Sequence, residues 1–320
     1  MVKLPNSLTF KIEPIPPYSF KLTVRKPAGW PLFTPFEVYG KHTVWTATHM
    51  LGLLVGIKIT SKGTTQHPRI SATIFLESNQ DDPEKLDEMK MSLAHSIGAY
   101  GDLTEFYELA HRDNILRHVI KDLYGMHSTG PSTIFPEAAL AILLQMAPLK
   151  RSDEMMNCFI SKYGVKAEFD KRAISVWPLP ERIAPLDPGE LPSACKLGYR
   201  AKHLVNLSRK LEDETFPSME ELERLEPDEA KRKLLELPGI GDYSADIINP
   251  HGGFPIDAWS AEVFGKLFYG HEPDDKRKAI EGIKKEGLHR WGKWSWMAFF
   301  YVVQDLENLS RKLNTSLRLE

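Results

Sequence analysis

Apolar and polar residues alternate along much of the first eighty positions and fall at helical spacing afterwards. Positions 19–25 read SFKLTVR, and the runs 37–50, 53–60 and 70–76 are rich in Val, Ile, Thr and aromatic residues. Pro31, Gly40, Gly52, Gly63 and Pro68 separate them. Such runs between Gly and Pro breaks predict strands, here an antiparallel sheet with one face packed. After Pro83 the spacing changes. Leu86, Met89, Leu93 and Ile97 share one side of a helix, which is expected to lie across that sheet.

From Asp102 the pattern is helical almost throughout. LTEFY at 103–107 starts one helix, and 113–123 continues with Ile115, Leu116, Val119, Ile120 and Leu123. A Gly, Pro and Ser-bearing connector at 125–136 leads to EAALAILLQM at 137–146, apolar enough to be the buried centre of a helical body. Further helices are expected at 151–163, around 197–201 and at 294–313, with a Pro-rich loop at 177–192. Strand signals followed only by helices predict an α+β chain. It has an N-terminal antiparallel β-sheet domain with a helix, residues 1–101, and then an all-α body, residues 102–320.

Composition narrows the class. A chain of 320 residues with 42% hydrophobic and 26% charged residues has the make-up of an ordinary globular protein of two domains. The 41 basic and 43 acidic residues leave a formal net charge of -2, so a nucleic-acid surface has to be local. Lys196, Arg200, Lys202, Arg209 and Lys210 form one acid-free stretch, and Lys231–Lys233 and 276–278 form others, although solvated helix faces produce such clusters too. Cys158 and Cys195 are too few for a disulfide framework or a four-thiolate cluster. No apolar run reaches the length of a membrane span and no signal peptide is visible. No membrane association is expected, and the location is expected to be intracellular, in cytoplasm or nucleoid, or in a nucleus.

Residues 226–264 carry the chemistry. A helical run at 228–235 enters Leu237-Pro238-Gly239-Ile240-Gly241, and a second helix is expected from about Asp242. Pro238 removes a backbone donor, while Gly239 and Gly241 permit positive φ and close approach to a ligand. Free amides in the first turn of the second helix then converge on a spot that favours an anion. Sixteen residues past Gly241, in the apolar setting FPIDAW, lies Asp257. A phosphate clamp followed by a carboxylate near a helix start suggests chemistry on a nucleic-acid backbone unit.

The stretch resembles the helix-hairpin-helix DNA glycosylases, whose hairpin reads L-P-G-[VI]-G-x-x-[ST]-A-[DN] and whose catalytic Asp follows in a P-x-D segment. Leu237, Pro238, Gly239, Ile240, Gly241, Ser244, Ala245, Asp246 and Asp257 all match. The order FPEAALAILLQ, LGYRAKHL, hairpin, Asp257 and WGKWSWMAFF is similar to that of the 8-oxoguanine glycosylases and the AlkA-type 3-methyladenine glycosylases, over about residues 100–310. The first hundred residues resemble those families only in strand content and placement.

The resemblance implies a set of roles. Asp257 is the expected catalytic carboxylate, since breaking an N-glycosidic bond builds positive charge on the sugar. It also stands where a helix cap belongs, and one residue can serve both ends. The bifunctional members carry a Schiff-base Lys at the position of Tyr243, and a phenol forms no imine. Tyr243 therefore implies a monofunctional enzyme that uses water, with Lys266 lacking motif support as a substitute. Trp291, Trp294 and Trp296 lie close in sequence and Trp259 flanks Asp257; with Tyr243, the base-pocket wall is expected from Trp259, Trp291 and Trp294. Aromatic residues are more often core, so one or two are expected to face the base. Gln145 and Met146 match the turn whose second residue wedges into the gap left by a flipped nucleotide, although Ala147-Pro148 departs from the family's usual V-S. Gly239, Gly241 and Tyr243 supply phosphate-binding amides, and Lys196, Arg200 and Lys202 are candidates for further phosphate contacts. No iron–sulfur cluster is expected; the family adds a monovalent cation at hairpin carbonyls.

The expected activity is monofunctional excision of a damaged, alkylated purine from double-stranded DNA by a monomer. The alternatives are an oxidised-base glycosylase/lyase of the 8-oxoguanine type, or a non-catalytic DNA-binding protein that uses the hairpin as a clamp.

Overall fold

A computed structural model describes residues 1–130, 133–191, 195–213 and 216–317. The connector expected at 125–136 and the loop expected at 177–192 each fall partly outside these. The chain divides into two compact units, Met1–Asp102 with Tyr124–Glu214, and Leu103–Leu123 with Thr215–Glu320. Residues 124–214 thus group with the N-terminal sheet, and neither unit is one continuous stretch.

The first unit is built on a five-stranded antiparallel sheet of β2 (Asn6–Ile12), β3 (Val38–Tyr39), β4 (Thr43–Met50), β5 (Leu53–Ser61) and β6 (Ile70–Leu76), in the order β2-β6-β5-β4-β3. β2 pairs with β6 along its whole length, from Asn6 opposite Leu76 to Ile12 opposite Ile70. One sheet face carries Val44, Ile57, Ile59, Ala72 and Ile74, and helix Pro83–Ser96 packs on it through Met89, Leu93 and Ala94.

Three expectations are corrected here. The alternating stretch 19–25 is not a strand but helix Phe20–Val24. Ser19 caps it by accepting the Leu22 amide, and Thr23 and Val24, adjacent residues that a strand would send to opposite faces, are both buried. The strand it was expected to supply is β2, whose NSLTFKI also alternates. Second, strands return after residue 102. β7 (Val165–Phe169) and β8 (Arg172–Val176) form a hairpin through Asp170 and Lys171, at φ +43° and +58°, the left-handed pair a tight two-residue hairpin needs. β1 (Val2–Lys3) runs parallel to β7 in a three-stranded sheet ordered β1-β7-β8. Third, that small sheet covers the other face of the large one. Ala167, Phe169, Ile174 and Val176 pack on Trp45, Ala47, Leu54 and Phe75, so both faces are buried. Gly56 makes this approach possible, because a Cβ there would lie 2.5 Å from the Phe169 ring.

The apolar segment 137–146 lies in helix Ile134–Leu144, which buries Ala138, Ala139, Ala141, Ile142 and Leu143 and packs on helix Arg200–Glu212. The second unit is helical. Its aromatic core joins Phe254, Phe264, Phe268, Trp291 and Phe299, with Phe254 edge-on to Phe264, Trp291 and Phe299. The single helix expected at 294–313 is divided into a 3-10 turn Gly292–Trp294 and helices Ser295–Gln304 and Leu306–Leu313, broken at Asp305. Among the described residues no helix is long and apolar enough to cross a membrane.

Replacing Gly56 by Val should force the Phe169 ring aside and cost about 1–3 kcal/mol, the usual range for overpacking. A urea unfolding curve that keeps the wild-type midpoint would show that the two sheets do not meet at this residue.

Candidate functional site

The hairpin forms as the motif predicts. Helix Pro227–Leu234 ends, Gly239 turns the chain at φ +84°, and helix Asp242–Ile248 begins after Gly241. Leu237 and Ile240 are buried anchors, which leaves Gly241 at the surface with nothing within 4 Å of where its side chain would be. The first intrahelical bond runs from the Ala245 amide to Gly241 O, so the amides of the preceding turn have no helical acceptor.

Asp257 opens helix Ala258–Tyr269 and divides its two oxygens. Its Oδ1 accepts the Ser260 amide at 2.8 Å and the Ser260 hydroxyl at 2.7 Å, while that hydroxyl also accepts the Asp257 amide. This is a capping box, worth about 1 kcal/mol. Oδ2 receives no hydrogen bond from any described residue and the side chain is half-buried. Capping and chemistry therefore do not compete for the same atom. Tyr243 lies near enough for the two groups to interact. Burial first, then the Asp257 charge, pushes the Tyr243 phenol above its ordinary range, so it stays a neutral donor at physiological pH. Lys266, nine residues along the helix from Asp257, is bound to Glu262 and the Ser316 carbonyl and paired with Glu272.

The backbone before Asp257 is clamped by close packing. Phe254, Pro255 and Ile256 are buried. A Cβ on Gly253 would lie 2.7 Å from the Asp246 carboxylate, one on Gly252 2.6 Å from Trp296, and one on Gly287 2.2 Å from the Phe254 ring. These three glycines are sites of forced approach, which motif reading does not reveal.

The tryptophans separate into two kinds. Trp291 is 1% exposed, donates to Asp113 Oδ2 at 3.2 Å and sits among Phe254, Phe264 and Phe268, so the expectation that it lines a base pocket is corrected to a core role. Trp296 stacks on Phe299 and Phe300. Trp259 and Trp294 are half-buried, the latter against Phe106. Cavities of about 220 and 70 Å³ lie in the first unit, and Asp257, Tyr243 and the tryptophans line neither.

In the first unit, Met146 follows the end of helix Ile134–Leu144 at φ +48° and is 85% exposed. A positive φ is costly for such a residue and marks a turn held by its surroundings. The holder is Arg200, which donates to the Gln145 carbonyl while its guanidinium lies 4.7 Å from the Tyr199 ring centre. Arg200 is buried, so its expected role as a free phosphate contact is corrected to a brace; Lys202 is exposed. Tyr199, overlooked in the sequence as part of a helix, is a half-exposed aromatic beside Gln145. The helix starts only at Arg200, and Lys196 and Gly198 have positive φ. Cys158 and Cys195 form a disulfide that ties helix Leu149–Tyr163 to this loop, and Arg151 donates to the Lys196 carbonyl at 2.8 Å. Two cysteines build no framework, but they do build this single staple.

No family model matches the chain. A DNA-3-methyladenine glycosylase of Bacillus subtilis is 26% identical over 206 residues, 63% of this chain and 66% of that protein, just under two thirds of its length. A probable N-glycosylase/DNA lyase of Methanothermobacter thermautotrophicus is 31% identical over 98 residues, 29% of this chain and 30% of the relative. The solved 3-methyladenine DNA-glycosylase from Archaeoglobus fulgidus aligns with a TM-score of 0.72 at 16% identity, over 96% of this chain and 100% of that one.

Since Asn can still accept the Ser260 amide, Asp257→Asn should unfold within about 0.5 kcal/mol of wild type, whereas Asp257→Ala should lose about 1 kcal/mol with the cap. Equal losses in the two variants, measured by denaturant titration, would contradict the capping geometry.

Proposed function

We propose that this chain, which has the helix-hairpin-helix DNA glycosylase fold, is a monofunctional DNA glycosylase that hydrolyses the N-glycosidic bond of a damaged purine. The observation that carries this reading is the Asp257 oxygen that its capping box leaves uncommitted, together with a phenol, Tyr243, at the hairpin position where a lyase needs an amine. In the reaction, the bond between the sugar C1′ and the base nitrogen breaks and its electron pair leaves with the base. Positive charge grows on the sugar as it does so. Asp257 Oδ2 stabilises that charge and accepts a proton from the attacking water, whose oxygen forms the new bond to C1′; the proton then passes to solvent. An alkylated purine already bears positive charge, so it departs neutral without a general acid. Such a base is also suited to the half-buried aromatic faces of Trp259 and Trp294.

In the second unit the hairpin amides of Gly239, Gly241 and Tyr243 hold phosphate; in the first unit Met146, thrown outward by its turn, has the exposure of a residue that wedges between bases. Alkylated purines are favoured as substrate by the relative in Bacillus subtilis together with Tyr243. The probable glycosylase/lyase relative keeps an oxidised-base lyase as the second reading, with Tyr243 against it. A purely DNA-binding role is disfavoured by the free Asp257 oxygen, because a carboxylate without a catalytic task repels the phosphodiester strand.

Incubation with duplexes that each carry one lesion, followed by alkaline cleavage, should release alkylated purines and leave undamaged strands whole. Asp257→Asn should keep its affinity for lesion DNA and lose base release by at least about a hundredfold. Borohydride added during turnover should trap no covalent enzyme–DNA adduct. A trapped adduct would make the enzyme a lyase, and normal release by Asp257→Asn would remove the catalytic assignment.

A further inference from the structure

Four charged side chains close a ring at the base of the hairpin. Lys231 Nζ lies 2.5 Å from Asp242 Oδ1 and 2.7 Å from Asp246 Oδ1, and Lys284 Nζ pairs with Oδ2 of both. The ring joins three helices, Pro227–Leu234, Asp242–Ile248 and Lys276–Trp291. The Asp246 side chain is 3% exposed, and both of its oxygens are held by an ammonium group. A buried carboxylate is expensive, and apolar residues of similar volume would join the helices as well or better. The ring therefore calls for a reason beyond cohesion.

That reason lies on the far side of Asp246. The Gly253 backbone rests against its carboxylate, with room for no Cβ. The next residue, Phe254, lays its ring on Gly287, which is one turn from Lys284 on the same helix. Ser295 Oγ donates to the Gly253 carbonyl at 3.2 Å from a third side. Residues 253 and 254 are thus gripped between Asp246 and Gly287, and Lys284 and Gly287 belong to one helix. Asp257 follows three residues later, with Pro255 and Ile256 buried between.

We infer that Lys231 and Lys284, acting through Asp246, are positioning residues for Asp257: the ionic ring sets where the 253–256 backbone runs, and hence where the uncommitted Asp257 oxygen stands. The inference rests on the catalytic reading of Asp257. Both ammonium groups are taken up by Asp242 and Asp246. Their effect is therefore on the chemical step, while the exposed hairpin tip that meets DNA is anchored separately by Leu237 and Ile240. Misplacement of a reacting group by about 1 Å can cost on the order of a hundredfold in rate, so a modest slackening of the ring is measurable.

The test uses the full chain and an alkylated-purine duplex under single-turnover conditions, with affinity measured on a duplex holding a stable abasic analogue. Asp246→Asn and Lys284→Met should each slow base release about 10- to 100-fold and leave the dissociation constant within about twofold of wild type. Lys284→Arg, which keeps the charge and the reach, should restore release to within about threefold. Circular dichroism and thermal unfolding identify any variant that does not fold, in which case Lys231→Met, which leaves Lys284 paired with both aspartates, carries the comparison with the same two readouts. Wild-type rates in Asp246→Asn and Lys284→Met would overturn the inference. So would equal losses in rate and affinity, since those mark the ring as general scaffolding. A wild-type chain that releases no base from any lesion removes the catalytic reading, and this inference with it, an outcome distinct from wild-type activity that the variants share.

Discussion

A carboxylate that begins a helix and still keeps an oxygen for another task has to split its two oxygens. Asp257 does so through Ser260. The serine amide and hydroxyl both take Oδ1, and the serine hydroxyl in turn satisfies the Asp257 amide, so the cap is complete without Oδ2. Because the cap also fixes the side-chain rotamer, the second oxygen is held in place without a partner of its own. The rest of the second unit supports this arrangement. The aromatic core under Phe254, the forced approaches at Gly252, Gly253 and Gly287, and the ring around Asp246 all constrain the few residues that lead into that helix.

Electrostatics are handled locally because the chain as a whole is nearly neutral. Asp242 sits in the first turn of the hairpin helix, where an acid stabilises the helix. Lys231 and Lys284 offset it, and hydrogen bonding to them, outweighing the burial of its own side chain, holds the Asp242 carboxyl below its usual range. The Lys231 ammonium is raised in turn: burial works against its charge, and its bonds to Asp242 and Asp246 prevail.

The first unit shows the same economy with backbone strain. Met146 is exposed at a positive φ, Arg200 takes the carbonyl before it, and the loop that leads into Arg200 is itself tied down by the Cys158–Cys195 disulfide and by Arg151. An arginine that the sequence presents as a phosphate contact is thereby spent on shaping a turn.

What the residues determined by themselves was whatever depends on neighbours along the chain. The hairpin is legible in Leu237 to Gly241 because positive φ at Gly239 and an exposed Gly241 are local demands. Asp257 is legible as a cap because Ser260 is three residues on. The sheet and its crossing helix could be read from periodicity. The tertiary structure decided everything that turns on partners distant in sequence. Alternation at 19–25 resembled a strand until burial of both Thr23 and Val24 made it a helix, while VKAEF and RAISV were hidden among helical signals until β1 and the large sheet gave them partners. Trp291 and Trp294 are indistinguishable in sequence. Only the packing of Phe254, Phe264 and Phe268 consigns the first to the core. Lys284 carries no motif at all, since an ion pair across 38 residues leaves no local periodicity to read; it acquires a meaning only where the fold sets it against Asp246.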